Sequence, residues 1–364
     1  MRPPVFMTGA TGFLGMEVLA RLLEAGDRQV VALVRAPDRA AAEARIDGVL
    51  ETLWSDPSPY RPLVRAVAGD LTTPGLGMDI VERTTLAEEV GAVLHCAASI
   101  SFDLPLEEAR HINVEGTREM IGFAREAKAL GRLERFLHVS TAYVAGAYPG
   151  TFKEGQLVAG QTFRNTYEQT KWEAEQIVAE AGDLSPAVVR PSIVMGESDS
   201  GWTPAFNVLY WPLRAFSRGL FDTVPAIPDG RVDVVPVDYV ADGIVHLLDR
   251  PESGVFNLVA GRDAPTVDEL IAMGAERFGR PRPRLVEPGG GSALADGEVY
   301  LPYFDMQVVF DDAHARSVLE PAGIRAPRLA DCFGALIDYA EAARWGKRPM
   351  SREEARERTQ PAAA

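Results

Sequence analysis

The chain of 364 residues is 46% hydrophobic and carries a formal net charge of −15 at pH 7. This composition allows a full hydrophobic core and a second lobe, whereas the acidic balance argues against general nucleic-acid binding, which needs clustered Lys and Arg. An apolar run of about 18 residues does not occur, so no membrane span is expected. The two cysteines, Cys96 and Cys332, suggest no disulfide framework and favour a reducing, cytoplasmic location. No Cys/His spacing typical of a metal site occurs either.

Short apolar runs alternate with helix-like stretches up to residue 190. This alternation is typical of an α/β fold, with a parallel sheet covered by helices on both faces. The predicted strands are residues 4–8, 29–34, 64–68, 92–96, 135–140 and 187–190. The predicted helices are residues 14–25, 40–53, 106–129 and 167–181.

Beyond residue 190 the alternation loosens into a segment rich in Pro, Gly and aromatic residues. A helix at 237–248 and a strand at 255–259 then return to the first pattern. We therefore assign residues 1–195 and 233–262 to the core that holds the sheet, and residues 196–232 and 263–345 to a smaller C-terminal substrate lobe. Residues 346–364 are charged and then rich in Pro and Ala, which predicts a disordered tail.

Gly9, Gly12 and Gly15 follow the first predicted strand and open an apolar helix. In this context the first glycine allows a tight turn, the second lets the backbone approach a diphosphate, and the third lets the helix pack closely on the strand. The first amide groups of the helix would face the phosphates. The motif therefore predicts a Rossmann-type, doubly wound parallel sheet that binds a dinucleotide. The cofactor-binding residues assigned to this loop are Gly9, Thr11, Gly12, Phe13, Leu14 and Gly15.

The end of the second predicted strand distinguishes the two nicotinamide dinucleotides. An NAD site carries Asp or Glu there for the ribose 2′-hydroxyl, but this chain has Arg35, with Arg39 one turn later. Because a guanidinium pairs well with the 2′-phosphate, NADPH is the predicted cofactor. The alternative is that Arg35 is an ordinary surface charge. Asp70, after the third strand, either accepts from the adenine amino group or caps a helix.

Residues at the ends of the later strands complete the predicted cofactor site. Small residues at 95–98 would let the dinucleotide lie close to the fourth strand, and residues 190–194 would form a wall beside the nicotinamide. Cys96 could be a covalent acyl carrier, but the sequence has no histidine pattern that would activate it. The further cofactor-binding residues are Leu71, Ala97, Ser140, Lys171, Pro191 and Ile193.

Tyr167 and Lys171 lie four residues apart in a predicted helix. The helix period places both side chains on one face, where a phenol and an ammonium group can converge on one ligand. Lys171 is expected to hold the nicotinamide ribose and to favour the ionised phenol, whose ordinary pKa is about 10. Of the two hydroxyls that end the preceding strand, we expect Thr141 to face the substrate and Ser140 the cofactor. The predicted catalytic residues are Thr141, Tyr167 and Lys171, in an enzyme that transfers hydride to or from a carbonyl carbon.

Taken in order, these motifs resemble an extended short-chain dehydrogenase/reductase over residues 4–260. Trp172, directly after the lysine, favours one branch of that family over the sugar-nucleotide epimerases. This branch contains the thioester reductases and fatty acyl-CoA reductases, with NAD(P)-binding domains of the male sterility type. The segments that resemble it are 8–15, 33–36, 69–71, 95–98, 140–144, 171–175, 190–196 and 233–238.

The resemblance implies NADPH-dependent reduction of an acyl thioester, carried on CoA or on a phosphopantetheinyl carrier protein. The product would be an aldehyde, with further reduction to the alcohol left open, and Thr141 and Tyr167 would stabilise the developing oxyanion. The resemblance also implies a monomer or a homodimer. The alternative enzyme is an extended-family reductase or epimerase that acts on a free aldehyde, ketone or sugar nucleotide. A catalytically silent NADP(H)-binding regulator is a third hypothesis, against which the presence of both Tyr167 and Lys171 argues.

For three further features the sequence allows two interpretations each. Apolar residues at helical spacing between 206 and 220 either pack in the core or line an acyl channel. The arginine-rich segment 277–284 is either a solvated loop or a local anion site. Asn113 either braces the sheet or belongs to a proton relay.

Overall fold

The computed structural model describes residues 2–206, 208–220, 222–287, 303–304 and 306–359. Its strands are β1 (Val5–Thr8), β2 (Val30–Arg35), β3 (Val64–Gly69), β4 (Ala92–His95), β5 (Arg135–Val139), β6 (Gly150–Phe152), β7 (Ala187–Pro191), β8 (Ile193–Met195), β9 (Thr223–Pro225), β10 (Val234–Pro236), β11 (Gly254–Leu258), β12 (Arg284–Val286) and β13 (Val308–Phe310). Its helices are α1 (Phe13–Ala25), α2 (Arg39–Leu53), α3 (Ile80–Glu89), α4 (Leu106–Arg110), α5 (Gly116–Ala129), α6 (Thr166–Glu180), α7 (Tyr210–Ser217), α8 (Val237–Leu248), α9 (Val267–Phe278), α10 (Ala313–Leu319), α11 (Leu329–Ala342) and α12 (Arg352–Thr359).

Seven of the described strands form one parallel sheet, in the order β11-β7-β5-β4-β1-β2-β3. Strand β1 lies between β2 and β4, with Val5 paired to Val30 on one side and to Ala92 on the other. The strand order therefore reverses at β1, because the chain first builds outward through β2 and β3 and later through β4, β5, β7 and β11. In such a sheet ligands bind at the reversal, outside the carboxyl ends of the strands. The predicted α/β fold with a Rossmann-type doubly wound sheet is confirmed.

Helices cover both faces of this sheet. Side chains of α1, α2 and α8 pack on one face, and side chains of α3, α5 and α6 pack on the other. Because both faces are buried, the strands are nearly continuous apolar runs, which is why the sequence pattern located them well. The predicted helix at 106–129 is also present, since α4 continues through a π-helical turn (His111–Glu115) into α5.

A second hydrophobic core marks a smaller lobe. It joins side chains of α7, α9 and α11 with those of the segment that follows β5. Three pairs of short parallel strands accompany it: β6 with β13, β8 with β10, and β9 with β12. The lobe thus draws on the segment around Phe152 as well as on the predicted ranges 196–232 and 263–345. No helix among the described residues is long and apolar enough to cross a bilayer.

The C-terminal segment differs from the expectation. Residues 352–359 form α12, and its first side chain, Arg352, is only 1% exposed. The Arg352 guanidinium lies 2.9 Å from a Glu17 carboxylate oxygen on α1, 2.6 Å from Glu24, and 2.8 Å from Glu197 after β8. The prediction of a disordered tail is therefore wrong for residues 352–359, because buried carboxylates far away in the sequence neutralise its charge. Residues 360–364 lie outside the described residues.

Candidate active site

A cavity of about 710 Å³ opens at the carboxyl ends of the central strands. It lies at the reversal of strand order, where β1 and β4 adjoin. All of the predicted catalytic and cofactor-binding residues line it, so the structure brings together in one place a set scattered over the first 193 positions. They are Gly9, Thr11, Gly12, Phe13, Leu14, Gly15, Arg35, Asp70, Leu71, Ala97, Ser140, Thr141, Tyr167, Lys171, Pro191 and Ile193. The individual roles of these residues stay predictions.

The glycine loop has the backbone geometry that a dinucleotide requires. Gly9 has a φ of +81°, and a Cβ there would lie 2.8 Å from the backbone nitrogen of Ala97. A Cβ on Gly15 would lie 1.9 Å from the carbonyl oxygen of Gly9, so α1 packs against the loop only because residue 15 is glycine. Helix α1 has no side-chain cap and no acidic residue in its first turn. Its first amide groups are therefore suited to an anion such as a diphosphate.

Two arginines border the cavity at the end of β2. Arg45, from α2, donates from Nη1 to the carbonyl oxygen of Arg35 at 2.5 Å and from Nη2 to Oγ1 of Thr11 at 3.4 Å. The sequence analysis missed Arg45, because only the packing of α2 on β3 brings it back over Arg35. Arg39, which the spacing had suggested, pairs with Glu43 at 2.8 Å and does not line the cavity.

Asp70 shapes the turn after β3. Its Oδ1 accepts from the backbone nitrogen of Thr72 at 2.9 Å and from the Thr72 hydroxyl at 2.7 Å. This is a turn cap, close to the second of the two interpretations of this residue. Because Asp70 also lines the cavity, a contact with the adenine amino group stays a prediction.

Helix α6, which carries the predicted catalytic residues Tyr167 and Lys171, is fixed at its N-terminal cap and at the cavity. Asn165 caps it by accepting from the backbone nitrogen of Glu168 at 2.9 Å. Lys171, only 2% exposed, donates from Nζ to the carbonyl oxygen of Val139 at 2.8 Å. Burial lowers the pKa of Lys171 to about 8. The ammonium is thus held against the end of β5, at the floor of the cavity.

The phenol of Tyr167 is a neutral group in this structure. Burial raises its pKa to about 12, and a hydrogen bond with Thr141 opposes the rise only in part. The expectation that Lys171 brings this pKa below its ordinary value is therefore not met here, because desolvation is the largest influence on the phenol and the ammonium is turned towards Val139. A protonated phenol is nevertheless the form that can donate to a substrate oxygen.

The two hydroxyls after β5 face different partners. Ser140 donates to Oε2 of Glu175 at 2.6 Å, deep in the interior. Thr141 donates to the carbonyl oxygen of Pro191 at 3.4 Å and hydrogen-bonds with Tyr167. The structure thus places the Thr141 hydroxyl beside the phenol, as expected, while the Ser140 hydroxyl points to Glu175 although Ser140 borders the cavity.

Asn113 braces the loop that follows β4. Its Oδ1 accepts from the backbone nitrogen of Ser99 at 2.7 Å, and its Nδ2 donates to the Ser99 carbonyl oxygen at 3.1 Å and to Oγ1 of Thr170 at 3.0 Å. The structure favours the bracing role, since the amide is fully occupied between this loop and α6. The same loop is held further along by Thr166, whose hydroxyl donates to the carbonyl oxygen of Leu104 at 3.0 Å.

Apolar side chains line the cavity beyond Tyr167. The ring centroid of Phe102 lies 5.9 Å from that of Tyr167 and 5.6 Å from that of Tyr303. The Tyr303 hydroxyl donates to the buried Glu168 carboxylate at 3.0 Å, which ties the smaller lobe to α6. The other apolar residues on this side are Ile100, Leu104, Ile112 and Val208.

The apolar stripe at 206–220 and the arginine-rich segment at 277–284 are the other two features with open interpretations. The stripe between 206 and 220 packs mainly in the core of the smaller lobe, as Leu209, Tyr210 and Leu213 are buried there. In the arginine-rich segment, Arg277 pairs with Asp338 and Glu341, and no arginine of the segment lines the cavity. The solvated-loop interpretation is thus favoured.

Cys96 lines the cavity, but burial raises the pKa of its thiol to about 11. The neighbouring His95 forms hydrogen bonds through both ring nitrogens, Nδ1 with Oγ1 of Thr8 at 2.9 Å and Nε2 with Oγ1 of Thr117 at 3.1 Å. The imidazole therefore does not activate the thiol. A covalent role for Cys96 is disfavoured. Among the described residues, no group of three or more His, Cys, Asp or Glu side chains is placed to hold a metal ion.

Known proteins resemble this chain in sequence and in fold. Fatty acyl-CoA reductase 1 from Homo sapiens is 31% identical over 274 residues, which cover 65% of this chain and 53% of the relative. Isonitrile lipopeptide synthase from Streptomyces coeruleorubidus is 35% identical over 266 residues, which cover 70% of this chain and 17% of that protein. The chain thus spans about half the length of the fatty acyl-CoA reductase and a smaller part of the synthase.

The terminal R domain from the myxalamid PKS-NRPS biosynthetic pathway has a similar structure, with a TM-score of 0.82 and 27% identity. The alignment covers 96% of this chain and 93% of that domain. A family model described as male sterility protein matches residues 7–244, which include the glycine loop, Tyr167 and Lys171. This chain therefore belongs to the male sterility protein family and carries its NAD(P)-binding domain.

Proposed function

We propose that this chain uses NADPH to reduce an acyl thioester to an aldehyde, with release of the thiol. The observation that carries the proposal is the convergence of Thr141, Tyr167 and Lys171 beside a dinucleotide loop in one cavity. Relatives named fatty acyl-CoA reductase support a thioester as the substrate. In the overall reaction, the thioester, NADPH and one proton give the aldehyde, the free thiol and NADP⁺.

The preference for NADPH rests on the end of β2. Arg35 stands where an NAD site carries an acidic residue, and Arg45 adds a second guanidinium beside it. Thr11 contributes a hydroxyl to the same corner. Such a group of donors suits the three oxygens of a 2′-phosphate and offers little to a ribose hydroxyl.

The chain's own residues then account for the carbonyl chemistry. Bound in this cavity, NADPH would supply the hydride. Tyr167 and Thr141 donate hydrogen bonds to the thioester oxygen, and these bonds strengthen as the oxygen becomes an oxyanion. Because the pKa of Tyr167 is raised to about 12, its proton is present at neutral pH and can pass to that oxygen. The hemithioacetal then loses its carbon–sulfur bond, and the sulfur leaves as the thiol with a proton.

The acyl group proposed for this site is uncharged next to the thioester. Ile100, Phe102 and Val208 line the cavity beyond Tyr167. Of the charged lining residues, Arg35, Arg45 and Asp70 lie at the ends of β2 and β3, and Lys171 is held against the end of β5. A buried charge without a partner costs several kcal/mol, roughly, whereas an apolar chain gains from burial. The donor is proposed to be acyl-CoA or an acyl group on a phosphopantetheinyl carrier protein.

An assay with NADPH and acyl-CoAs of several chain lengths tests the proposal. Loss of NADPH absorbance, released thiol and aldehyde product would be followed together, with Tyr167→Phe as the inactive control. Thiol release that matches NADPH oxidation supports the proposal, and a ratio of two NADPH per thiol indicates reduction to the alcohol. Oxidation of NADPH with free ketones, and none with CoA or carrier-protein thioesters, would contradict it and favour a free-carbonyl reductase.

A further inference from the structure

A buried carboxylate lies one helical turn beyond Lys171. Glu175 is 2% exposed, and both of its oxygens are occupied. Oε2 accepts from the Ser140 hydroxyl at 2.6 Å and from Nε of Arg190 at 3.1 Å, and Oε1 accepts from the same Nε at 3.0 Å. Nη2 of Arg190 donates to Oε1 as well. Glu175 therefore joins α6 to the ends of β5 and β7.

Arg190 holds this carboxylate from a fixed position. It is 1% exposed, and its guanidinium also donates to the carbonyl oxygens of Glu154 at 3.2 Å and Gln156 at 2.9 Å. The guanidinium lies 5.7 Å from the ring centroid of Phe152. Because backbone carbonyl groups hold the guanidinium on one side and Glu175 holds it on the other, the ion pair has little freedom to rearrange.

Three consecutive residues at the end of β5 contact three successive turns of one helix face. Thr141 hydrogen-bonds with Tyr167, and Val139 accepts from Lys171 at 2.8 Å. Ser140, between them, donates to Glu175. Positions 167, 171 and 175 repeat every four residues, which is the spacing of side chains on one face of a helix. The bond between Ser140 and Glu175 thus ties this helix face to the end of β5 beside the other two contacts.

Glu175 also contributes charge to the surroundings of Lys171. From β4 the lysine is faced by His95 and Cys96, and from β5 by His138. Burial lowers the pKa of both histidines and raises that of the thiol, so these three groups are neutral near pH 7. Burial has the largest effect on the pKa of Lys171 and lowers it, whereas Cys96 and, to a smaller extent, the carboxylate of Glu175 raise it.

We propose that Glu175 is a positioning residue of the reductase. It turns the Ser140 hydroxyl away from the cavity, so that Thr141 alone of the two hydroxyls stands beside Tyr167. It also places a fixed negative charge behind the ammonium of Lys171. The proposal rests on the function proposed above, because the ammonium and the two hydroxyls matter only if this site performs carbonyl chemistry.

The test compares Glu175→Gln with the wild-type protein over the neutral and alkaline pH range. Loss of the charge is expected to move the alkaline limb of kcat/KM to lower pH by about one unit, because a nearby opposite charge supports an ammonium by about that much. Glu175→Asp should restore the limb. Glu154→Gln is the matched control, since its carboxylate is also buried but binds the backbone of α10 and β11. An unchanged limb and an unchanged kcat in Glu175→Gln would overturn the proposal.

Two further measurements keep the test decisive. If Glu175→Gln does not fold because Arg190 is left unpaired, the double variant Glu175→Gln/Arg190→Gln removes both buried charges and is compared in the same way. NADPH affinity as a function of pH, read from cofactor fluorescence, should show the same shift without any substrate. A shift in binding without thioester reduction by the wild-type protein would retain the role of Glu175 and reject the proposed function. A wild-type pH dependence in both measurements would reject the role of Glu175.

Discussion

Nζ of Lys171 donates to the carbonyl oxygen of Val139 at 2.8 Å, so the ammonium is fastened to the end of the strand that leads into Thr141. This hydrogen bond connects α6 directly to β5 at the floor of the cavity, so the positions of Tyr167, Lys171 and Thr141 depend on one another. Beside it, burial raises the pKa of Tyr167 to about 12, so the phenol keeps its proton at neutral pH.

Replacing Tyr167 with Phe should cut turnover by about a hundredfold or more, because it removes the proton donor without changing the shape of the site. Binding of NADPH should stay nearly unchanged. Steady-state rates and cofactor fluorescence measure the two effects. Tyr210→Phe is the matched control, since Tyr210 is a buried tyrosine that accepts from the backbone nitrogen of Gly196 at 3.1 Å, away from the cavity. Full activity in Tyr167→Phe would show that another group donates the proton.

Replacing Thr141 with Val removes a hydroxyl beside Tyr167 and keeps nearly the same volume. We expect kcat to fall by about a hundredfold, the usual effect of losing one oxyanion donor, while KM for the thioester changes little. Thr141→Ser keeps the hydroxyl and should retain most of the activity. If Thr141→Val and Thr141→Ser behave alike, the hydroxyl does not serve the oxyanion.

Replacing Arg45 with Gln should raise KM for NADPH by about tenfold to a hundredfold, the effect of losing one hydrogen-bonded charge. KM for NADH should change little, because NADH has no 2′-phosphate. Arg39→Gln is the matched control on the same helix, since Arg39 is exposed and pairs with Glu43. Equal effects of Arg45→Gln on the two cofactors would place the 2′-phosphate elsewhere.

Activity should fall as pH rises through about 8, the value to which burial lowers the pKa of Lys171. The ammonium is present below that pH and is lost above it. Tyr167 does not produce this limb, because its pKa is raised to about 12. The measurement is kcat/KM with a saturating cofactor across the neutral and alkaline range. Residual activity of Lys171→Arg should lack the limb, since a guanidinium stays charged; a limb that persists there belongs to another group.

Replacing Arg352 with Met should lower the free energy of unfolding by about 3 kcal/mol, the lower end of the cost of breaking a buried ion pair. The buried carboxylates of Glu17 and Glu197 each lose one arginine partner and keep another, Arg21 and Arg356 respectively. Urea unfolding followed by circular dichroism measures the loss. Arg358→Met, on the exposed side of the same helix, should change it by less than about 0.5 kcal/mol. Equal stabilities of the two variants would mean that α12 does not depend on its buried ion pairs.

Local patterns accounted for the sheet, for most helices and for the site. The apolar strands and the glycine loop are each recognised from a few consecutive residues. The i, i+4 spacing of Tyr167 and Lys171 is likewise a property of any helix. What escaped prediction depends on distant parts of the chain. The bond from Arg352 to Glu197 joins residues 155 positions apart. The Arg190–Glu175 pair likewise needs β7 and α6 to be packed before it exists.

Arg45, at the edge of the cavity, and α12, away from it, show the same limit of prediction from sequence. Arg45 follows Arg35 by ten positions, and only the packing of α2 on β3 brings its guanidinium to the carbonyl oxygen of Arg35. The high density of charged residues in the segment 352–359 predicts a solvated tail. Composition does not reveal that Arg352 forms ion pairs with carboxylates on α1 and after β8.

The most direct test of thioester reduction is to follow the hydride. Wild-type protein would be given an acyl-CoA and NADPH deuterated at both C4 positions, and the aldehyde would be analysed by mass spectrometry. The proposed function predicts one deuterium on the former thioester carbonyl carbon for each thiol released. An aldehyde without deuterium, or deuterium found only in alcohols made from added ketones, would contradict it.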